Sequence, residues 1–389
     1  MAFGTAVCVS AIYLSQPILN LLAGVLHASI REMGIVTTVT QVGYAAGIIF
    51  LVPLGDILPK KRLILTKLLL VCLALLATGL ASNVLALAAG SLAIGLFATA
   101  AQDFLPLAAE LSPPERRGRA IGIVMGGLLL GILGSRIFSG ALAEWAGWRE
   151  PYFVTAALTL FVALLVWKRV PSVAQAHTAT YPALLRSMGA LMVKEPLLVL
   201  STVGHGFVGI TFSAFWTMLS FHLGAAPFHL TPSQIGLFAL AGFAGAAIAP
   251  VAGRLADRHG PLFNIRAGIV LVAVSFISML LFPGSLVALI IAAVAFDMGV
   301  QLSMVSHQTV IYSLEPSARS RLNAVYVGGL FGFFALGSFG ASLAFTSDGW
   351  PGVVLLCLAS CVLAALVHVI LSRQWRLLQN AERISPSGA

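Results

Sequence analysis

Apolar stretches of about 20 residues alternate with short polar segments along nearly the whole chain. A helix of that length spans the hydrocarbon core of a bilayer, so the pattern predicts an all-α integral membrane protein with twelve spanning helices. Six are predicted near residues 3–26, 32–54, 63–82, 84–111, 119–143 and 150–168. Six more are predicted near residues 196–223, 232–252, 263–282, 285–312, 322–345 and 349–371. We number them in chain order as predicted helices 1 to 12.

The two sets of six predicted helices carry the same motifs in the same places. A shift of 202 residues lays a segment rich in proline, arginine and glycine onto its copy, and a shift of 201 lays Asp56 onto Asp257. The shared positions are Pro114, Arg117, Arg119, Gly126 and Gly127 in the first set and Pro316, Arg319, Arg321, Gly328 and Gly329 in the second. Such a tandem repeat predicts two six-helix bundles in parallel orientation, as in one large class of transporters. The predicted units are an N-terminal bundle at 1–168, a central cytoplasmic loop at 169–195, a C-terminal bundle at 196–371 and a tail at 372–389.

Composition narrows the class of protein further. Hydrophobic residues make up 59% of the 389 residues and charged residues only 9%, whereas roughly a quarter of a soluble domain is charged, so a soluble protein is excluded. The net charge of +9 does not indicate nucleic-acid binding, because the basic residues are spread in small groups between apolar stretches. All four cysteines lie within apolar stretches, so neither a disulfide framework nor a metal site is expected. No nucleotide-binding loop or catalytic triad pattern is evident, which argues against an enzyme and against a cofactor.

The distribution of basic residues predicts which helix ends face the cytoplasm, because Lys and Arg resist translocation during insertion. Nineteen of the 22 lysines and arginines fall on one side, and this count includes Lys67 near the start of predicted helix 3. Arg31 and Arg149 fall on the other side, and Arg136 lies within predicted helix 5. Both termini and the central loop are therefore predicted to be cytoplasmic. The first apolar stretch has no basic leader and no small-residue cleavage site, so we interpret it as a spanning helix.

Ionisable side chains within the predicted helices are candidates for function, because charges are costly in hydrocarbon. They are Asp103, Arg136, His205, Asp297 and His307. The rise per residue sorts them by depth: Asp103 and the two histidines lie roughly 8 to 13 Å from the predicted cytoplasmic ends, and Arg136 and Asp297 roughly 23 to 25 Å. Because Arg136 and Asp297 belong to opposite halves, a bridge between them is one hypothesis. Arg136 is also a candidate for binding an anionic substrate, or for pairing with predicted helix 1 through Gln16 and Asn20.

Two motifs make the chain resemble the major facilitator superfamily. The loop after predicted helix 8 contains that superfamily's Gly-x-Leu-Ala-Asp-Arg-x-Gly signature. Its residues are Gly253, Leu255, Ala256, Asp257, Arg258 and Gly260, and the first-half copy retains Asp56, Lys60, Lys61 and Arg62. The start of predicted helix 1, with Tyr13, Gln16 and Pro17, further resembles the twelve-helix drug:proton antiporter branch. The resemblance covers essentially the whole chain and implies the fold of that superfamily.

The resemblance also implies roles for particular residues. The signature loops would act as gates, in which an acid pairs with basic groups and helix ends in one state and releases them in the other; the alternative is a surface ion pair of little energy. Predicted helices 1, 4, 7 and 10 would line a central cavity, with Asp103, His205 and His307 around one vestibule. A carboxylate near imidazoles can hold and pass a proton, since histidine titrates close to neutral pH, so these three are the candidates for proton coupling. Alternatively, Asp103 is a packing acid bonded to a hydroxyl or amide, with Gln102 facing the cavity, and the histidines only pack.

Further candidates are polar and aromatic side chains on the helices expected to line the cavity. The full set of substrate-cavity candidates is Tyr13, Gln16, Asn20, Gln102, Arg136, Phe207, Trp216, Asp297 and Gln301. Predicted helices 5 and 11 are rich in glycine, which lets two membrane helices approach closely. The glycines are Gly122, Gly126, Gly127, Gly131, Gly134 and Gly140 in the former and Gly328, Gly329, Gly332, Gly337 and Gly340 in the latter. They predict close helix packing, either static or as surfaces that slide when the halves rock.

These inferences lead to three hypotheses about function. The leading one is a secondary transporter of small molecules in the cytoplasmic membrane that works as a monomer by alternating access. Proton-coupled efflux of an apolar or amphipathic compound is its favoured form, with the substrate, protons and membrane lipid as partners. One alternative is uptake or exchange of a small organic anion bound by Arg136. The other is a membrane receptor or scaffold that does not transport.

Overall fold

In the part of the chain that the structure describes, the fold is all-helical and contains the twelve spanning helices that the sequence predicts. The computed structural model describes residues 1–171, 180–315 and 318–384, with their side chains apart from those of 114, 244–247, 249, 250, 257 and 380–384. Within these ranges, ten helices are long and apolar enough to cross a membrane. The last of them is broken at Gly349 (φ 62°, ψ −149°) and so makes two crossings, and two consecutive helices, Pro232–Leu237 and Ala239–His259, together make one more. The predicted fold class is therefore confirmed.

The helices are numbered in chain order. The first half contains α1 (Ala2–Val25), α2 (Ile30–Asp56), α3 (Lys60–Gly79), α4 (Val84–Glu110), α5 (Arg117–Ala146) and α6 (Glu150–Arg169). The second half contains α7 (Pro196–Gly224), α8 (Pro232–Leu237 continued by Ala239–His259), α9 (Pro261–Leu281), α10 (Leu286–Leu314), α11 (319–348) and α12 (350–384). A connecting helix, Tyr181–Lys194, lies between the halves in sequence. Residues 172–179 of the predicted central loop, residues 385–389 of the predicted tail and Pro316 lie outside the described residues.

The internal repeat extends to the local structure that starts and ends the helices. Capping boxes begin the second helix of each half, Ser29 with Glu32 in α2 and Thr231 with Gln234 in α8. In such a box the hydroxyl and the acid or amide satisfy backbone N–H groups that a helix start leaves free. The equivalent residues again lie 202 positions apart. The same shift relates the glycines with positive φ that end α5 and α11, Gly147 and Gly349. A residue with a side chain would be strained in that conformation.

Glycines in the two equivalent helices α5 and α11 permit close packing, as predicted. A Cβ atom at Gly127 or Gly131 would collide with the backbone of α1 at Ala2 and Ala6. In the second half, a Cβ atom at Gly337 would collide with the backbone of α7. Small residues at such crossings let membrane helices approach until their backbones touch. Each half is therefore built around a close contact between its first and fifth helices.

Many large apolar side chains remain exposed on the outside of the bundle. Leu73 is 62% exposed, Leu85 80% and Val287 67%. A soluble monomer rarely exposes so much contiguous apolar surface, whereas lipid chains cover it without cost. The outer surface thus fits a bilayer, and the polar residues that remain inside the bundle mark candidate sites.

The two halves meet differently at the two ends of the bundle. We call the end where α3, α5 and α11 begin, each with a basic residue, the basic end. At the opposite end α5 packs tightly on α8: a Cβ atom at Gly140 would collide with the carbonyl of Pro232, and the Glu144 carboxylate accepts a hydrogen bond from the Ser233 N–H at 3.0 Å. Near the basic end, no atom of the described residues lies within 4 Å of a Cβ atom built at Gly122 or Gly126 of α5. The seam between α5 and α8 is therefore closed at the end opposite the basic end.

Candidate functional site

A buried ion pair joins α3 and α4. Lys67 Nζ lies 2.7 Å from Asp103 Oδ2, and the two side chains are only 2% and 4% exposed. Taking two charges out of water is costly, and such a pair is tolerated only when the partners compensate each other. Removing one partner of a buried pair typically costs about 3–5 kcal/mol, because the other charge is left uncompensated. Asp103 is thus bound to a lysine rather than to the hydroxyl or amide that we considered as an alternative.

A second ion pair lies between the same two helices, two turns nearer the basic end. Lys60 of α3 pairs with Glu110 of α4, and their side chains are 11% and 44% exposed. Because α3 and α4 run antiparallel, a step of seven residues forward in one and back in the other leads from this pair to Lys67 and Asp103. We call the two pairs the outer rung (Lys60–Glu110) and the inner rung (Lys67–Asp103). The outer rung is partly hydrated and stabilises little, whereas the inner rung is sealed from solvent.

Lys67 is the functional candidate that the sequence analysis missed. The distribution of basic residues places it with those of the cytoplasmic side, but α3 starts at Lys60, so Lys67 lies roughly 10 Å along the helix. A lysine near a helix end usually extends its amine towards water, which is why its burial was not expected. The signal that could have found it is the matched spacing of two lysines in α3 and two acids in α4.

A cavity of about 60 Å³ adjoins the inner rung at the basic end. It is lined by Asp103, Asp56 and Lys60 of the first half, by Arg321 of α11 and by Met188 of the connecting helix. A space of this size holds a few water molecules, since each needs about 10–15 Å³ of such volume. The wall residues come from both halves, so any rocking of the halves changes this cavity. Asp103 is therefore buried, paired and yet adjacent to a polar space near the surface.

The first signature loop connects this cavity to the second half of the chain. Asp56 is exposed and lies within electrostatic reach of Lys60, Glu110 and Arg321. Of the other basic residues of the loop, Lys61 is half-buried and Arg62 is exposed. Arg321 belongs to α11, so the charges of the loop link the two halves at the basic end. This arrangement is compatible with the predicted gating role, which stays a prediction.

The second signature loop is only partly described. Gly260 has φ 83°, a conformation that favours glycine and explains this position of the motif. Arg258 is exposed, and Gly253 has open space at the position of a Cβ atom. The side chain of Asp257 lies outside the described part of the structure. The two loops thus occupy equivalent positions in the repeat, and charged neighbours are described only for the acid of the first loop, Asp56.

The two histidines form a separate cluster in the second half. His205 Nδ1 lies 3.1 Å from Ser303 Oγ, and the ring centroids of His205 and His307 are 5.6 Å apart. Tyr326 of α11 stacks on His205 at 5.9 Å. Among the described residues, the partners of Asp103 do not include either histidine. The three candidates for proton coupling therefore fall into two places rather than one vestibule, because the choice of lining helices does not fix the direction in which each side chain points.

Arg136 lies deep in the bundle, 2% exposed, in a cage of residues from both halves. Its Nε donates a hydrogen bond to Gln16 Oε1 at 2.9 Å. Its guanidinium carbon lies 4.0 Å from the ring centroid of Trp216 and 4.9 Å from that of Tyr13, within the range of cation–π attraction. Pro17 follows Gln16, and α1 tightens there into a 3₁₀ turn that orients Gln16. One of the alternatives for Arg136, pairing with α1 through Gln16, is thus observed.

Asp297 faces Arg136 from the second half without contacting it directly. It is 6% exposed, and the two groups influence each other electrostatically. Among the described residues they form no ion pair within 4.0 Å, and both carboxylate oxygens of Asp297 and Nη2 of Arg136 lack hydrogen-bond partners. The bridge that we considered between them is therefore absent in this arrangement of the halves. As their similar depth along the predicted helices indicates, the two residues nevertheless lie near each other.

The remaining cavity candidates lie in different environments. Asn20 is exposed at the end opposite the basic end, where it contacts Gly224 of α7. Gln102 donates a hydrogen bond to the Tyr44 hydroxyl at 3.0 Å. Phe207 packs edge-on against Phe333 at 5.4 Å within the second half. Gln301 is half-buried on α10. Only Tyr13, Gln16, Arg136, Trp216 and Asp297 of the predicted set gather around one point.

A polar network that the sequence analysis did not predict joins the two halves. Gln41 of α2 donates a hydrogen bond to Ser213 Oγ of α7 at 2.9 Å and accepts one from Ser338 Oγ of α11, also at 2.9 Å. Thr217 Oγ1 lies 2.9 Å from the same Ser338 hydroxyl. All four residues are buried. Since Gln41 comes from one half and its partners from the other, this network stabilises the present arrangement of the halves.

Metal binding has no support in the described part of the chain, where no group of three histidine, cysteine or carboxylate side chains could hold an ion.

The sequence model of the Major Facilitator Superfamily matches residues 1–226 and 201–386. The uncharacterized transporter YgaY of Escherichia coli O157:H7 is 36% identical over 382 residues, which cover 98% of this chain and 95% of YgaY. A protein named Probable transporter SCO4007, from Streptomyces coelicolor, is 33% identical over 355 residues, or 91% and 82% of the two chains. A bacterial homologue of the human lysosomal transporter Spinster, solved in an inward-facing and occupied conformation, superposes with a TM-score of 0.78 at 16% identity, covering 96% of this chain and 95% of that one.

Proposed function

Because the chain belongs to the major facilitator superfamily and is a multi-pass membrane transporter rather than an enzyme, we propose that it exports an apolar or amphipathic compound in exchange for protons. It works as a monomer by alternating access, with the two six-helix halves, 1–168 and 196–371, as the moving units. The basic end faces the cytoplasm, because basic residues resist translocation, and the membrane is the cytoplasmic one. The start of α1, with Tyr13, Gln16 and Pro17, supports the comparison with the drug:proton antiporters.

The observation that carries the proposal is the inner rung beside the cavity at the basic end. In this arrangement Lys67 and Asp103 compensate each other out of water. A proton bound by Asp103 removes the negative charge and leaves the Lys67 ammonium buried without a partner, which is penalised by several kcal/mol. Hydration of Lys67 relieves that penalty, and it requires the adjacent cavity to widen. Protonation therefore favours opening at the basic end, and loss of the proton favours closure.

The residues that line the cavity connect the protonation of Asp103 on α4 to the position of the second half. Asp103 on α4 of the first half and Arg321 on α11 of the second line the same cavity. Asp56 at the end of α2 lies within reach of both Lys60 and Arg321. A change of charge at Asp103 thus alters the balance of charges across the seam between the halves. Protonation thereby changes the free-energy difference between the open and the closed state of the basic end, as coupled transport requires.

Transport in proteoliposomes tests the proposal with Asp103→Asn and the matched outer-rung variant Glu110→Gln. The purified Asp103→Asn protein should still exchange substrate across the membrane at equal pH, but a pH gradient should no longer drive its accumulation. Glu110→Gln should retain gradient-driven transport, because the outer rung is hydrated. Gradient-driven accumulation by Asp103→Asn at the wild-type level would refute the assignment.

A second function is favoured by one observation. Arg136 Nη2 is buried without a partner among the described residues, as expected of a cation that awaits an anionic ligand. The corresponding proposal is uptake or exchange of a small organic anion. In that case Arg136→Gln should abolish counterflow of the anion, whereas export of a neutral compound should not require the charge of Arg136.

A further inference from the structure

Three polar groups without partners converge at the seam between the halves, close to the cage around Arg136. They are Arg136 Nη2 from α5, both carboxylate oxygens of Asp297 from α10, and Trp216 Nε1 from α7. Each of these atoms is inaccessible to solvent and makes no hydrogen bond with a described residue. The Trp216 N–H lies near the Asp297 carboxylate but outside normal hydrogen-bond geometry. A native protein leaves few buried polar groups unsatisfied, so three at one place indicate a site that is completed by something else.

The two charged groups have different neighbours. The Gln16 amide binds one side of the guanidinium, and Trp216 stacks against its face at 4.0 Å. On the other side, Asp297 lies against Gly242 of α8, where a Cβ atom would come within 3.2 Å of its Oδ2. Arg136 therefore contacts α1 and α7, and Asp297 lies beside α8. In this arrangement the two groups form no ion pair within 4.0 Å.

We infer that this place is a substrate subsite for a small amphoteric molecule with an apolar body. Its carboxylate or equivalent acceptor binds Arg136, and its ammonium group binds Asp297. The apolar body packs on the aromatic rings that surround the guanidinium, Tyr13 and Trp216. The inference rests on the proposed transport function and narrows the amphipathic substrate to one that carries both charges.

The charges of the site argue against ligands of a single sign. A simple anion would satisfy Arg136 but would leave Asp297 buried, unpaired and facing a like charge. A simple cation would do the reverse. A molecule with both charges satisfies both groups and keeps the net charge of the site unchanged, which matters in a low-dielectric interior. This argument distinguishes the amphoteric ligand from the organic anion of the second proposed function.

Binding to the purified wild-type protein in detergent tests the inference, with probes that share one apolar side chain and differ in charge. L-phenylalanine carries both charges, its methyl ester only the cation, and N-acetyl-L-phenylalanine only the anion; L-leucine and its derivatives form a parallel set. Isothermal titration should show at least one of the two amino acids binding about tenfold or more tightly than either of its derivatives, because a site built for polar partners rejects ligands that lack them. Failure of both amino acids to bind, or equal binding of the derivatives, would overturn the inference.

Variants that lack one of the two charges provide the decisive control, because the ratio of the affinities for the two derivatives is measured within each variant. Asp297→Asn should shift the preference towards the N-acetyl derivative, and Arg136→Gln towards the methyl ester. Gly242→Ala should weaken binding of the amino acid and of its methyl ester more than that of the N-acetyl derivative, since the added methyl group lies close to the Asp297 carboxylate as well as to Leu133. If neither charge variant changes the preference, the inference is wrong. Since binding in detergent needs no proton gradient, this outcome is separate from that of the Asp103→Asn transport experiment.

Discussion

Replacing Lys67 by methionine should destabilise the protein strongly, because it leaves the Asp103 carboxylate buried without its partner. The two side chains are 2% and 4% exposed, so solvent cannot screen the loss. The expected cost is about 3–5 kcal/mol. With an unfolding entropy of about 2.1 cal/mol/K per residue, a chain of 389 residues loses about 4 to 6 °C in Tm. Replacing both partners, by Lys67→Met with Asp103→Leu, should restore most of this loss, since an apolar pair of similar volume is often neutral.

A double-mutant cycle in detergent measures this coupling directly. Unfolding of the wild type, the two single variants and the double variant is followed by intrinsic tryptophan fluorescence during heating. The outer rung supplies the matched control: Lys60→Met and Glu110→Leu should each change stability by less than about 1 kcal/mol, because Glu110 is 44% exposed. The reasoning fails if the single inner-rung variants melt like the wild type, or if the double variant loses as much as the two single variants together.

Three further predictions concern the contacts between helices. Gln41→Leu removes two hydrogen bonds between the halves, worth about 1–2 kcal/mol together. A cysteine introduced at Ser342 reports on the end opposite the basic end, where Gly34 packs against this residue. Its thiol should be labelled faster in the Gln41→Leu protein, and an unchanged rate would contradict the proposed role of the network. Gly131→Val should impair insertion or lower stability because its side chain meets the α1 backbone, whereas Gly134→Val, at a position with open space, should be tolerated; equal effects on thermal stability would be inconsistent with this packing. Asn83→Ala and Ser285→Ala remove equivalent caps in the two halves, each accepting one backbone hydrogen bond, and should each cost about 1 kcal/mol in thermal unfolding; no loss in either would show that the caps do not contribute.

The fold could be predicted from the sequence because its strongest signals are global. Apolar length alone locates the spans, and the 202-residue shift between copies identifies the two halves. Finer structural features repeat with the same shift, such as the capping boxes at Ser29 and Thr231 and the glycines at 147 and 349. Helix ends differ from the predicted ones by a few residues, as for α3, which begins at Lys60 rather than near residue 63. Such shifts do not change the fold, but they place Lys67 seven residues into α3 instead of near its start.

The candidate site could be predicted only in part, because depth along a helix is readable and side-chain direction is not. Depth along the helices places Arg136 and Asp297 in one layer, and in the structure they lie near each other without the bridge between them. Asp103 and the histidines were also assigned to one layer, but Asp103 turns towards α3 and His205 towards Ser303 of α10. A difference of one or two residues in helix phase is enough to separate such groups. The network of Gln41 with Ser213 was not predicted because isolated serines are common in membrane helices and carry no signal of a partner.

If a proton on Asp103 opens the basic end, as we propose, the distance between the halves across that end must depend on pH, and measuring it tests the proposal most directly. Spin labels at the exposed positions Arg62 of the first half and Arg373 of the second report the separation of the halves by pulsed electron resonance. Acidification should increase the population with the longer distance in the wild type, and Asp103→Asn should show that population at every pH. A wild-type distance that does not respond to pH, or an Asp103→Asn protein that still responds like the wild type, would contradict the account.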